Sequence, residues 1–92
     1  MYTAIFSKSA DKDIINIVKH VAAENPQAAK KLGSNLLDLA LSLDSMSYRG
    51  SKVKKRRGVL KLIHGNYLIY YRVNENERTV EILSFKHGAR MK

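Results

Sequence analysis

Apolar positions recur in two different rhythms along this chain, and the change of rhythm divides it. Tyr2, Ala4 and Phe6 alternate with other residues, which predicts a short opening strand. Ala10, Ile14, Ile17, Val18 and Val21 then follow at helical spacing and form one apolar stripe. Ser7 or Ser9 can cap that helix, and Asp11 and Asp13 near its start suit the positive end of the helix dipole. Asn25-Pro26 closes the first helix and opens a second, with Asn25 as cap and Pro26 at the first helical position. Ala28, Ala29, Leu32, Leu36, Leu39, Ala40 and Leu43 line one side of the second helix. Two amphipathic helices joined by almost no linker predict a helical hairpin.

From Asp44 to Gly58 no apolar period remains, so this stretch is expected to be a loop. The period-two rhythm then returns. Val59 to His64 is β-prone, Gly65-Asn66 supplies a two-residue turn, and Tyr67 to Val73 alternates. Tyr67, Ile69, Tyr71 and Val73 face one way; Leu68, Tyr70 and Arg72 face the other. Asn74 to Glu77 is a polar turn. Thr79 to Phe85 is a last strand, with Val80 and Ile82 expected on one face and Leu83 and Phe85 on the other. The order β-α-α-β-β-β predicts an α+β fold of two layers, the helical hairpin covering one face of a mostly antiparallel sheet. Residues 1–92 make a single domain. How the first strand joins the sheet is not specified by the pattern.

Charge sharpens this division. Net charge is +9, from 17 basic and 8 acidic residues. Residues 1–48 carry five of each sign, whereas residues 49–92 carry twelve basic residues against Glu75, Glu77 and Glu81. Seven of the thirteen residues from Arg49 to Lys61 are Lys or Arg. Like charges so dense stay together only on a solvated surface or against an anion, so the second half is expected to meet an acidic or polyanionic partner. Aromatic residues in the strands (Tyr67, Tyr70, Tyr71, with Arg72 beside them) fit core and cross-strand packing better than base stacking.

The absence of cysteine excludes a disulfide scaffold, a thiolate zinc site and a cysteine nucleophile. With three histidines, a structural zinc is not expected, and no cofactor motif is present. No apolar run approaches the ~18 residues of a membrane span, and no signal-peptide pattern opens the chain, so a cytoplasmic protein is expected. His87, just past the last strand, can serve as an acid or base near neutral pH, but no carboxylate lies near it in sequence.

Four segments together resemble the RelE/ParE superfamily of type II toxins, and within it the ParE-like (plasmid stabilisation) branch. They are Asp13-Ile14-Ile15-Asn16-Ile17, Asn25-Pro26-Gln27-Ala28-Ala29, Tyr67-Leu68-Ile69-Tyr70-Tyr71-Arg72-Val73, and Val80-Glu81-Ile82-Leu83 running into His87-Gly88-Ala89-Arg90. The resemblance implies the same helical hairpin on an antiparallel sheet. It also implies a toxin that inhibits DNA gyrase by binding, neutralised by an acidic, partly disordered cognate antitoxin in a hetero-oligomer. Arg49, Lys54, Arg57, His87 and Arg90 are the residues expected to form the target-binding surface. RelE-like relatives instead cleave mRNA on the ribosome, and that alternative would use Lys52, Lys54, Arg72 and His87 as catalytic groups. Tyr67 stands where RelE-like nucleases carry an arginine, and the tail after Arg90 adds no acid or base, which favours the ParE-like reading. No catalytic residue is therefore assigned.

Overall fold

The computed structural model describes residues 2–87. The helical rhythm forms α1, Lys8–Ala22, and α2, Pro26–Leu41, which pack against each other. Ser7 caps α1 by accepting from the Ala10 N–H at 3.0 Å, and Asn25 caps α2 by accepting from Ala28 N–H at 3.1 Å. Each such cap is worth about 1 kcal/mol. The helices approach closely at Gly33, where a Cβ would meet Val18 Cγ2 at 3.0 Å. A short 3-10 turn, Ser42–Asp44, extends α2 and carries Leu43 into the core.

Five strands form one sheet: β1 (Thr3–Phe6), β2 (Ser51–Lys52), β3 (Val59–His64), β4 (Tyr67–Asn74) and β5 (Thr79–His87), in the order β1-β5-β4-β3-β2. The last three form the expected antiparallel meander. Gly65 takes φ +59° in the β3–β4 turn, a value that glycine reaches without strain. One feature was left open by the sequence pattern and one differs from it. β1 lies parallel to β5 at one edge, and Ser51–Lys52, expected as loop, pairs with Lys61 and Leu60 at the other edge.

Side chains facing the helices come from paired positions: Leu60 and Tyr71, Leu62 and Ile69, Tyr71 and Ile82, Val73 and Val80, Ile69 and Phe85. With Ala10, Leu36, Ala40 and Leu43 from the helical side, most of these make the buried core. Phe85 therefore shares a face with Val80 and Ile82, contrary to the alternation expected for this strand. The cause is a bulge: Tyr70 pairs with Ser84 but Tyr71 pairs with Ile82, leaving Leu83 as an extra residue. An extra residue reverses the facing of everything beyond it. Past the end of β1, backbone groups of β5 are taken up by residues at the start of the first helix. Ser7 Oγ donates to the Leu83 carbonyl at 3.0 Å, and Asp13 Oδ2 accepts from the Phe85 N–H at 3.1 Å. Asp13 thus ties the helix to the sheet as well as lying near the helix start.

Candidate functional site

The basic segment is held by a series of side-chain hydrogen bonds. Ser47 Oγ donates to the Leu43 carbonyl at 2.7 Å in the interior, and Arg49 Nη1 donates to Ser42 Oγ at 3.3 Å. The Gly50 N–H donates to the hydroxyl of Tyr71 at 2.9 Å. Tyr71 is fully buried, and its burial raises the phenol pKa, against the opposing effects of Gly50 and Arg49. Only glycine fits at position 50, because a Cβ would lie 2.6 Å from both the Lys61 carbonyl oxygen and the Tyr71 hydroxyl. The loop leaving α2 is thus pinned to the core immediately before β2 begins.

Beyond β2, Val53 donates to the Val59 carbonyl and Val59 to the Arg56 carbonyl, closing a tight turn with Gly58 at φ +76°. That turn concentrates charge. Lys52, Lys54, Arg56 and Arg57 line one depression of about 600 Å³ at the corner where β3 begins and β4 ends. Val53, Leu60 and Val73 give it an aliphatic lining, and none of its lining residues is acidic. Tyr48 stands at its side and donates its hydroxyl to Glu75 Oε2 at 2.5 Å. That hydrogen bond is the main reason its phenol is pushed up to about 12. Among the described residues no ion pair engages Lys52, Lys54 or Arg57.

The open face of the sheet is less available. Tyr70 is only 9% exposed, and the Arg56 guanidinium sits 5.7 Å from its ring centroid. Arg72, on the same face, lies 3.8 Å from Glu81, both about half exposed, a pair worth under about 1 kcal/mol.

A second depression, about 450 Å³, lies at the other end of β4 between Asn16, Ile17, His20 and Val21 of α1 and Tyr67 and His87 of the sheet. The His87 ring meets Tyr67 edge-on, with centroids 4.9 Å apart. His87 Nδ1 is buried and has no hydrogen-bond partner among the described residues. No carboxylate lines this depression to orient the imidazole.

The structure brings some sequence-selected residues together and separates others. Lys54 and Arg57 share the basic depression, and Lys52 joins them there. Arg49 lies apart, with its guanidinium at Ser42 and with Asp38 and His64 around a different hollow. Arg90 lies outside the described residues. The alternative set, Lys52, Lys54, Arg72 and His87, does not converge. Lys52 pairs with Leu60, which pairs with Tyr71, whereas His87 pairs with Tyr67. Three strand spacings and four residues of rise put them on the order of 20 Å apart. Arg72 projects from the opposite face. Tyr48, Gly50 and Glu75 were not singled out by sequence, and Tyr71 was weighed for base stacking and read as a packing residue. The available signal was an aromatic and a glycine, Tyr48 and Gly50, flanking Arg49 at the start of the basic run.

Comparisons with known proteins agree with this architecture. The family model described as the ParE toxin of type II toxin–antitoxin systems, parDE, matches residues 4–92. A chain from the chromosomal ParDE system of P. aeruginosa superposes with a TM-score of 0.81 at 19% identity, covering 95% of this chain and 96% of that one. The RelBE2 toxin–antitoxin complex of Mycobacterium tuberculosis contains a chain with a TM-score of 0.72 at 24% identity, covering 94% and 96%. The isolated E. coli RelE toxin gives 0.63 at 17% identity, covering 98% and 87%. Curated protein sequences gave no match. The family match runs from the first strand through both helices and the whole meander, and the chain belongs to the ParE toxin family of type II toxin–antitoxin systems.

Proposed function

We propose that this toxin acts by binding DNA gyrase and stalling its DNA-cleaved state, without cutting nucleic acid itself. The observation that carries this reading is the distance between His87 and the cluster of cationic side chains. RNA cleavage needs a base, a proton donor and compensating positive charge at one phosphate. Here His87 stands at one end of the sheet and the lysines at the other. Inhibition by binding needs only a shaped, charged surface, and the corner formed by Lys52, Lys54 and Arg57 is one.

A cognate antitoxin is the second partner. The M. tuberculosis relative was solved as a toxin–antitoxin complex, and the P. aeruginosa one belongs to a toxin–antitoxin system, which supports a hetero-oligomer here. A partly disordered acidic chain that folds on binding would complement the charge of the second half.

The test is a supercoiling assay with purified gyrase and this protein. Loss of supercoiling with accumulation of cleaved DNA is expected. Unaffected supercoiling, together with codon-positioned cuts on ribosome-bound mRNA that vanish in His87→Ala, would replace this reading with the RelE-like one.

A further inference from the structure

The depression at the β2–β3 corner combines a cationic rim with an aliphatic interior. From this pairing we infer that it is a docking pocket for an acidic protein segment that inserts one bulky apolar side chain between Lys52, Lys54 and Arg57. The inference rests on reading the basic half as a binding surface, and does not depend on gyrase being the target.

The cavity's 600 Å³ lies within the size range of ligand pockets. Val53, Leu60 and Val73 offer an inserted side chain contacts that water cannot replace, so burial there is favourable. Around them, three cations with no anionic partner among the described residues repel one another, and an acidic segment relieves that repulsion while steering the encounter. An apolar anchor inside a charged rim is the usual energetic division of a compact protein interface.

A nucleic-acid ligand fits less well. The interior is aliphatic, so a base inserted there would bury its polar edge against Val53, Leu60 and Val73. The one aromatic there, Tyr48, has its hydroxyl engaged by Glu75. On the open face of the sheet, Tyr70 is covered by Arg56 and is not a stacking platform.

The experiment uses the full chain and three fluorescein-labelled probes read by anisotropy. One is a peptide of aspartates and glutamates around a central Leu-Phe pair; the second replaces that pair with Ala-Ala; the third is a single-stranded oligothymidine. The Leu-Phe peptide is expected to bind roughly tenfold or more tightly than the Ala-Ala peptide, the difference that burying such a side chain supports. Val73→Asp should abolish that preference. Should that variant fold poorly by circular dichroism, Lys54→Glu with Arg57→Glu, both on the exposed rim, should weaken both peptides and flatten their salt dependence. Equal binding of the two peptides, or oligothymidine binding more tightly than the Leu-Phe peptide, would overturn the inference. A parallel supercoiling assay keeps the two readings apart. Anchor-dependent binding without gyrase inhibition removes only the target, and gyrase inhibition without anchor dependence removes only the pocket.

Discussion

The two ends of β4 hold opposite kinds of side chain. At its C-terminal end, near Val73, four basic residues crowd a depression with an aliphatic lining. At its N-terminal end, Tyr67 packs against His87, the residue best suited to proton transfer, with no carboxylate beside it. A cation-rich surface serves recognition; a histidine with no compensating charge beside it serves little chemistry on a phosphate. The difference teaches that residues grouped by type in sequence can be held at opposite ends of one strand, so that the cation-rich surface and the histidine do not share a site.

The contrast can be broken most strongly at its support. Gly50→Ala places a Cβ against the Lys61 backbone and the Tyr71 hydroxyl, so the basic end should be lost together with about 2–3 kcal/mol of stability in urea unfolding. Asp13→Ala leaves the Phe85 N–H at the bulge without its acceptor. It should cost about 1–2 kcal/mol, and hydrogen exchange at Phe85 should accelerate, while the basic end keeps its shape. Tyr71→Phe removes only the hydroxyl that holds Gly50. About 1 kcal/mol is expected, with faster exchange confined to the loop around Gly50.

The smallest effect concerns pH. The Tyr48 phenol is raised from 10.0 to about 12 chiefly because its neutral form donates to Glu75. A folded-state pKa above the unfolded value means the contribution is complete below pH 10 and fades as pH rises through 12. The difference in urea midpoint between wild type and Tyr48→Phe should therefore be constant to pH 10 and close above it. A difference that grows with alkaline pH would contradict the assigned hydrogen bond.

Much of the fold was legible because its signals are local. Asn25 and Pro26 mark the helix junction, and Gly65 marks the hairpin turn, each through conformational preferences carried by one or two residues. What escaped the sequence is non-local. The parallel docking of β1 on β5 joins residues at opposite ends of the chain. The bulge was missed because the apolar doublet Ile82-Leu83 reads equally as one apolar residue on each face of a regular strand or as an inserted residue. At the site, the density of basic residues from Arg49 to Lys61 was plain, but the aliphatic lining was not. Val73 reaches it from another strand, and the Tyr48–Glu75 contact spans 27 residues. Grouping Arg49 and His87 with Lys54 and Arg57 by charge and type joined side chains that the sheet holds apart.

The division of labour between the two ends is tested most directly by measuring gyrase supercoiling with two variants side by side: Lys54→Glu with Arg57→Glu, and His87→Ala. The charge reversal is expected to relieve inhibition, while His87→Ala is expected to inhibit as wild type does. Inhibition retained by the charge-reversed protein and lost in His87→Ala would contradict that division.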